Sequence, residues 1–113
     1  MELDEKIKQL IPKMKEMVER TKKTGLEHGF IVCEAPHRIE EFIGKKNSIE
    51  LGNCRAGEKM SIMFHTHPSG LPIPSHVDEK ISEKLGAEIN CIGTDEGIFC
   101  IIKKGGRVFE AEL

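Results

Sequence analysis

Residues 60–78, MSIMFHTHPSGLPIPSHVD, combine three structural signals in one short stretch. The apolar run that ends in His-Thr-His predicts a buried strand. The following PSGLPIP carries three prolines and a glycine, which exclude both helix and central strand and so predict a loop. Ser75 then suits the N-cap of a helix, with Asp78 three residues later. The stretch therefore predicts a strand and a helix that meet across a proline-rich loop.

The rest of the chain alternates helix and strand signals around this stretch. Apolar residues spaced by three and four predict an N-terminal helix over residues 3–21, which Pro12 should kink or divide. The KKTG after it suits a helix end. Besides the strand before His65, strands are predicted for GFIVC, RIEEFIG, SIELG, AEINCIG, GIFCII and RVFEAEL, with KKN as a hairpin turn between the second and third. We predict an α/β fold, a single domain over residues 1–113 with a mixed β-sheet flanked by helices.

Composition limits the classes of function. The chain has 113 residues, 38% hydrophobic and 32% charged, with a formal net charge of -2. This balance argues against a strongly basic nucleic-acid surface. No apolar run approaches the roughly 20 residues of a membrane span. We expect a soluble, cytoplasmic protein that binds neither membrane nor nucleic acid.

Four cysteines occur without a C-x-x-C pair, which argues against a zinc knuckle or a redox dithiol. They are expected to be small buried residues in a reducing compartment. Structural disulfides remain the alternative if the source is a hyperthermophile.

His65 and His67 lie two positions apart at the end of the predicted strand. Side chains at that spacing project from the same face, so these two imidazoles can share a metal ion while Thr66 faces away. The loop returns the chain so that Asp78, in the first turn of the predicted helix, can add an oxygen ligand. Two histidines and one carboxylate are typical of a catalytic zinc site that keeps its fourth position for water.

A hydrolytic zinc site also needs a base and a donor to the developing oxyanion. The hydroxyl of Ser75 is the candidate donor, although the same group would serve as the N-cap of the helix. Glu27 and Glu34 flank the segment HGFIVC and are the candidate bases. Glu27 is preferred.

The spacing His-Thr-His, seven residues, Ser, two residues, Asp resembles the signature of the JAMM (MPN+) metalloprotease family, and Pro68 after the second histidine is also similar. The resemblance covers nearly the whole chain and implies the JAMM/MPN architecture, which is related to that of cytidine deaminases. It implies that His65, His67 and Asp78 bind one Zn²⁺ and that Ser75 helps to stabilise the tetrahedral intermediate. The family's upstream glutamate carries over to Glu27, since the strand FIVC begins three residues later.

Members of this family act as isopeptidases on ubiquitin or ubiquitin-like proteins, so the resemblance implies such a protein, or its conjugates, as substrate. The chain looks like a small prokaryotic core-type member, with almost no room for the substrate-binding insertions of specialised eukaryotic enzymes. HTHPSG also resembles the RadC branch of the same fold, which leaves a RadC-like or catalytically silent metal-binding module, acting through protein or DNA partners, as the alternative function.

Other His-x-His enzymes fit the sequence less well. Amidohydrolase and phosphoesterase barrels need about 250 residues and further histidines from later strands, and only His76 follows here. The His-x-Glu and Pro-Cys-x-x-Cys of zinc deaminases are absent, as is H-E-x-x-H. The remaining histidines, His28, His37 and His76, are interpreted as ordinary surface or core residues, and Met14, Met17, Met60 and Met63 as core residues.

Overall fold

The computed structural model describes residues 5–34, 37–46, 48–68, 87–95, 97–104 and 107–112. Its elements, in chain order, are α1 (Glu5–Thr24), β1 (His28–Glu34), β2 (Arg38–Ile43), β3 (Lys59–Thr66), β4 (Ile89–Thr94), β5 (Gly97–Lys104) and β6 (Arg107–Glu112). The six strands form one sheet in the order β2-β1-β3-β4-β5-β6. Within the described ranges β3 and β4 run parallel and every other neighbouring pair is antiparallel. The predicted α/β fold with a mixed sheet is confirmed.

Helix α1 is one continuous element that packs on one face of the sheet. Its apolar residues recur every three or four positions and are buried, namely Ile7, Leu10, Met14, Met17 and Val18. Pro12 lies inside the helix on its exposed side, so the carbonyl group that loses a partner there can bond to water. Of the two predicted outcomes, division of the helix at Pro12 is wrong, because α1 continues from Glu5 to Thr24. The predicted end is confirmed: Gly25 has φ 73° and its N–H donates to Thr21 O at 2.8 Å.

The two faces of the sheet carry different side-chain clusters because successive strand residues point to opposite sides. In β1 and β3, Phe30, Val32, Ile62 and Phe64 pack with α1 in the larger core. Ile31, Cys33, Met60 and Met63 form a smaller core on the other face with Ala87, Phe42, Leu51 and Cys54. Met60 reaches this face although it lies two positions before Ile62, because the β1–β3 register shifts between Val32 and Cys33. The face opposite α1, called here the site face, also carries the candidate metal ligands.

The predicted strand SIELG, residues 48–52, is wrong: this segment is irregular. The reason lies in the strand order. Strands β2 and β3 flank β1 on opposite sides, so the chain between them has to cross the site face instead of adding a strand. Leu51 and Cys54 pack against the small core on the way.

An ion pair anchors the end of this crossing segment to β2. The guanidinium of Arg38 donates from Nη2 to Glu58 Oε1 at 2.6 Å, and the N–H of Arg55 donates to the same oxygen at 2.7 Å. The hydrogen bond from Arg38, followed by that from the Arg55 backbone, lowers the pKa of the Glu58 carboxyl below its usual value.

All four cysteines are in disulfides, which contradicts the expectation of free thiols. Cys91 and Cys100 lie directly opposite each other on β4 and β5, in the core beneath α1. Cys33 of β1 is joined to Cys54, 21 residues away on the crossing segment. The sequence could not show these pairs, because each depends on a strand register or a crossing that brings distant residues together.

The predicted proline-rich loop and the second helix lie outside the described residues. In the described ranges, no helix is both long enough and apolar enough to span a membrane.

Candidate metal centre

The two histidines predicted to share a metal lie together where β3 ends. His65 is 5% exposed and His67 follows the last residue of the strand. Their Nε2 atoms are 2.9 Å apart. Zinc binds imidazole nitrogens at about 2.0 to 2.1 Å, so two nitrogens of a tetrahedral site are separated by roughly 3.3 Å. A small movement of either ring would therefore let both nitrogens bind one ion.

Glu27 completes a group of three possible ligands. One atom from each of Glu27, His65 and His67 can be chosen so that all three lie within 4.8 Å of one another. The strand register explains this: Gly29 pairs with His65, and continuing the antiparallel register by two residues places Glu27 opposite His67. Glu27 is only 5% exposed.

The backbone of Glu27 is held from the β2 side of the sheet. Its N–H donates to Lys45 O at 2.9 Å, and its carbonyl accepts the N–H of Gly44 at 2.7 Å. These bonds extend the pairing of β1 with β2 beyond the first residue of β1 and the last residue of β2. The position of the Glu27 side chain is therefore set by the sheet and does not depend on a free loop.

Gly29 provides the close approach of β1 to β3 beside the histidines. A Cβ atom at this position would lie 2.4 Å from Phe64 O, 2.9 Å from Leu51 Cδ2 and 3.3 Å from His65 Cα. A side chain here would occupy the space between the two strands, directly opposite His65. Glycine is needed because of this contact, since φ here is not positive.

Thr66 points to the α1 face, as predicted, and enters a buried hydrogen-bond network. Its hydroxyl accepts the N–H of His28 at 2.9 Å and lies 2.5 Å from Thr21 Oγ1. The ring of His28 places Nδ1 3.0 Å from Leu26 O and 3.3 Å from Thr21 Oγ1. The interpretation of His28 as an ordinary core residue agrees with its burial but missed this network.

A cavity of about 330 Å³ lies beside His67, between the end of α1 and the ends of β3 and β4. Its lining includes Val18, Thr21, Lys22, Thr66, His67, Pro68, Thr94 and Asp95. In open α/β sheets, ligands bind beyond the carboxyl ends of parallel strands, and β3 and β4 are such a pair here. His67 is the residue that this cavity shares with the three-residue cluster.

The structure distinguishes the two candidate bases by position. Glu34 lies at the other end of β1, opposite Lys59, and its Oε1 is 3.5 Å from His37 Nδ1. It is seven positions along the extended chain from Glu27, a span of about 23 Å. The structure thus brings Glu27, and not Glu34, to the histidines. Ser75 and Asp78, the other predicted site residues, lie outside the described residues.

The functional neighbours that the sequence did not reveal are Thr21 and His28, whose role depends on contacts with Thr66. The single signal available was the position of Thr66 between two histidines. In comparisons with known proteins, no protein-family model and no curated protein matches this chain.

Proposed function

We propose that this protein is a zinc-dependent metallopeptidase of the isopeptidase type, similar to the JAMM (MPN+) family. The observation that carries the proposal is the cluster of Glu27, His65 and His67, where β1 begins and β3 ends. It unites two imidazoles and a carboxylate from separate strands, and the sequence adds Ser75 and Asp78 at the family's spacing.

The chemistry of these residues fits one Zn²⁺. His65, His67 and Asp78 would hold it, and three protein ligands are typical of catalytic rather than structural zinc. A zinc ion bound there would lower the pKa of a coordinated water toward about 7 and polarise the substrate carbonyl.

Glu27 acts as the general base and then as the general acid. It is nearly buried and opposite His67, so its carboxylate can accept the proton of the attacking water and then donate it to the leaving amine. The Ser75 hydroxyl donates a hydrogen bond to the oxyanion of the tetrahedral intermediate.

The substrate is a ubiquitin-like protein or its conjugate, with the extended tail paired to an exposed strand of the sheet. Strand β2 is an edge of the sheet in the described part of the chain, and it neighbours β1, the strand that follows Glu27.

The test compares Glu27→Gln, His67→Ala and, as the matched control, Glu34→Gln at the other end of β1. The substrate is a small β-grasp modifier from the source organism, fused to a lysine-containing peptide. Zinc is measured by elemental analysis. We expect the protein to cleave the fusion after the terminal glycine of the modifier, and a chelator should block this cleavage. Glu27→Gln should abolish cleavage but retain zinc, His67→Ala should lose both, and Glu34→Gln should keep both.

Retained turnover in Glu27→Gln would reject the role of Glu27. Stoichiometric zinc without cleavage of any modifier would favour a metal-binding module that acts through partners. A wild-type protein that binds no zinc would refute the proposed enzyme altogether.

A further inference from the structure

The side chain between the two histidines occupies a buried position with a defined polar partner. Thr66 is 0% exposed and points away from the metal cluster. Its Oγ1 lies 2.9 Å from His28 N and 2.5 Å from Thr21 Oγ1. A buried hydroxyl with two partners is costly to remove, because its partners then lose their bonds in a place that water does not reach.

The hydrogen bond between His28 and Thr66 takes the place of a backbone hydrogen bond where the pairing of β1 with β3 ends. The regular pairing of β1 with β3 ends at Gly29 and His65. One residue further along, the N–H of His28 donates to the side chain of Thr66. The hydroxyl therefore holds β1 to β3 at the point where their regular pairing ends.

This contact lies next to the residues of the metal cluster in both strands. His28 follows Glu27, and Thr66 lies between His65 and His67. The backbone bonds of Glu27 described above run to Gly44 and Lys45, on the β2 side. The bond between His28 and Thr66 thus joins the residue after Glu27 to the residue between the two histidines.

The network has a consistent direction of hydrogen bonding. Leu26 O can only accept, so the proton of the His28 ring lies on Nδ1 when that bond forms. The same Nδ1–H is near Thr21 Oγ1, whose own hydroxyl proton can then be donated to Thr66 Oγ1. Helix α1 is in this way connected to both strands behind the cluster.

We propose that Thr66 is a positioning residue, whose hydroxyl holds the start of β1 against the end of β3 and so fixes the Glu27 carboxylate relative to His65 and His67. The effect on catalysis rests on the proposed function, whereas the effect on geometry does not. Replacing Thr66 should alter the placement of the base more than the ability of the histidines to bind metal.

The experiment compares wild type with Thr66→Val, which keeps the shape but lacks the hydroxyl, and Thr66→Ser, which restores it. Ser61→Ala is the matched control, because Ser61 is also buried on β3 and its hydroxyl donates to Val32 O of β1 at 3.3 Å, away from the cluster. Three readouts are taken: amide hydrogen exchange of His28 in metal-free protein, Co²⁺ binding and its visible spectrum, and kcat with KM on the modifier fusion.

We expect Thr66→Val to accelerate His28 exchange and to lower kcat by about 10- to 100-fold, the range seen when groups supporting a metal site are removed. KM and the stoichiometry of Co²⁺ should change little, while the Co²⁺ spectrum shifts. Thr66→Ser should restore exchange and kcat to within a few-fold of wild type. Ser61→Ala should leave all three readouts at the wild-type level.

The inference is overturned if Thr66→Val leaves His28 exchange unchanged, or if its kcat falls no further than that of Ser61→Ala. If Thr66→Val does not fold, Thr21→Val provides the second test, since it removes one partner of the Thr66 hydroxyl and should shift the same readouts by a smaller amount. A wild type without metal or turnover refutes the proposed function alone, because His28 exchange still decides the positioning role.

Discussion

Replacing Gly29 with alanine tests whether the close approach of β1 to β3 builds the metal cluster. The added Cβ would lie 2.4 Å from Phe64 O, where ordinary contacts begin near 3.4 Å, so the two strands must separate by about 1 Å. The obstructing atom belongs to the backbone and cannot rotate away. Forced overpacking of this kind typically costs about 1 to 3 kcal/mol.

This cost predicts a lower Tm, and the strand separation predicts a lower kcat. At about 4 °C per kcal/mol for a chain of this size, Tm should fall by about 4 to 12 °C. Because Glu27 directly precedes β1 and the histidines lie at the end of β3, the separation also displaces the proposed base from the zinc ligands. We expect kcat on the modifier fusion to fall by about tenfold or more, with zinc retained.

Thermal unfolding and turnover of the modifier fusion measure the two effects, and elemental analysis checks that zinc is retained. Gly52→Ala is the control, because its Cβ would meet the far end of the Phe42 ring, at 2.8 Å, and that side chain can move. The reasoning is refuted if Gly29→Ala keeps the Tm and kcat of the control. A lower Tm with unchanged kcat would show that strand packing and the site are independent.

Three further predictions concern stability. The disulfide between Cys33 and Cys54 closes a 21-residue separation, and its loss in the double serine variant should cost about 3 kcal/mol; equal Tm values in oxidising buffer would contradict this. The hydrogen bond from Arg38 lowers the pKa of Glu58 in the folded protein. The ion pair therefore stabilises the fold above the pKa of an unfolded glutamate, about 4.3, and this stabilisation is lost as pH falls through the lowered pKa of Glu58. The Tm difference between wild type and Arg38→Gln should therefore shrink from about pH 5 to about pH 3, and a constant difference would exclude this linkage. Phe64→Ala removes a fully buried ring from the larger core and should cost about 3 to 5 kcal/mol in denaturant unfolding, whereas a loss below about 1 kcal/mol would show that this core collapses around the cavity.

Local sequence patterns were sufficient for most elements of the sheet. The apolar runs before His65 and after Glu27 are strands, and Thr66 points away from the histidines as the two-residue period requires. The period of α1 likewise placed its buried face correctly. These features depend on residues only a few positions apart.

Features that depend on strand order were not accessible in the same way. The alternation in SIELG resembles a strand, but its position between β2 and β3 makes it cross the site face. The disulfide partners of Cys33 and Cys91 follow from that crossing and from the β4–β5 register. The place of Glu27 opposite His67 also follows from a strand register. The sequence alone therefore left two glutamates, Glu27 and Glu34, as candidates for the base.

The separation of the two faces has a practical consequence for protein engineering. Along β1 and β3, side chains belong either to the helix-covered core or to the face that bears the smaller core together with Glu27 and His65. A library restricted to Glu27, His65 and His67 would vary the possible ligands while both cores stay intact. The same strands could thus carry altered chemistry without a redesigned scaffold.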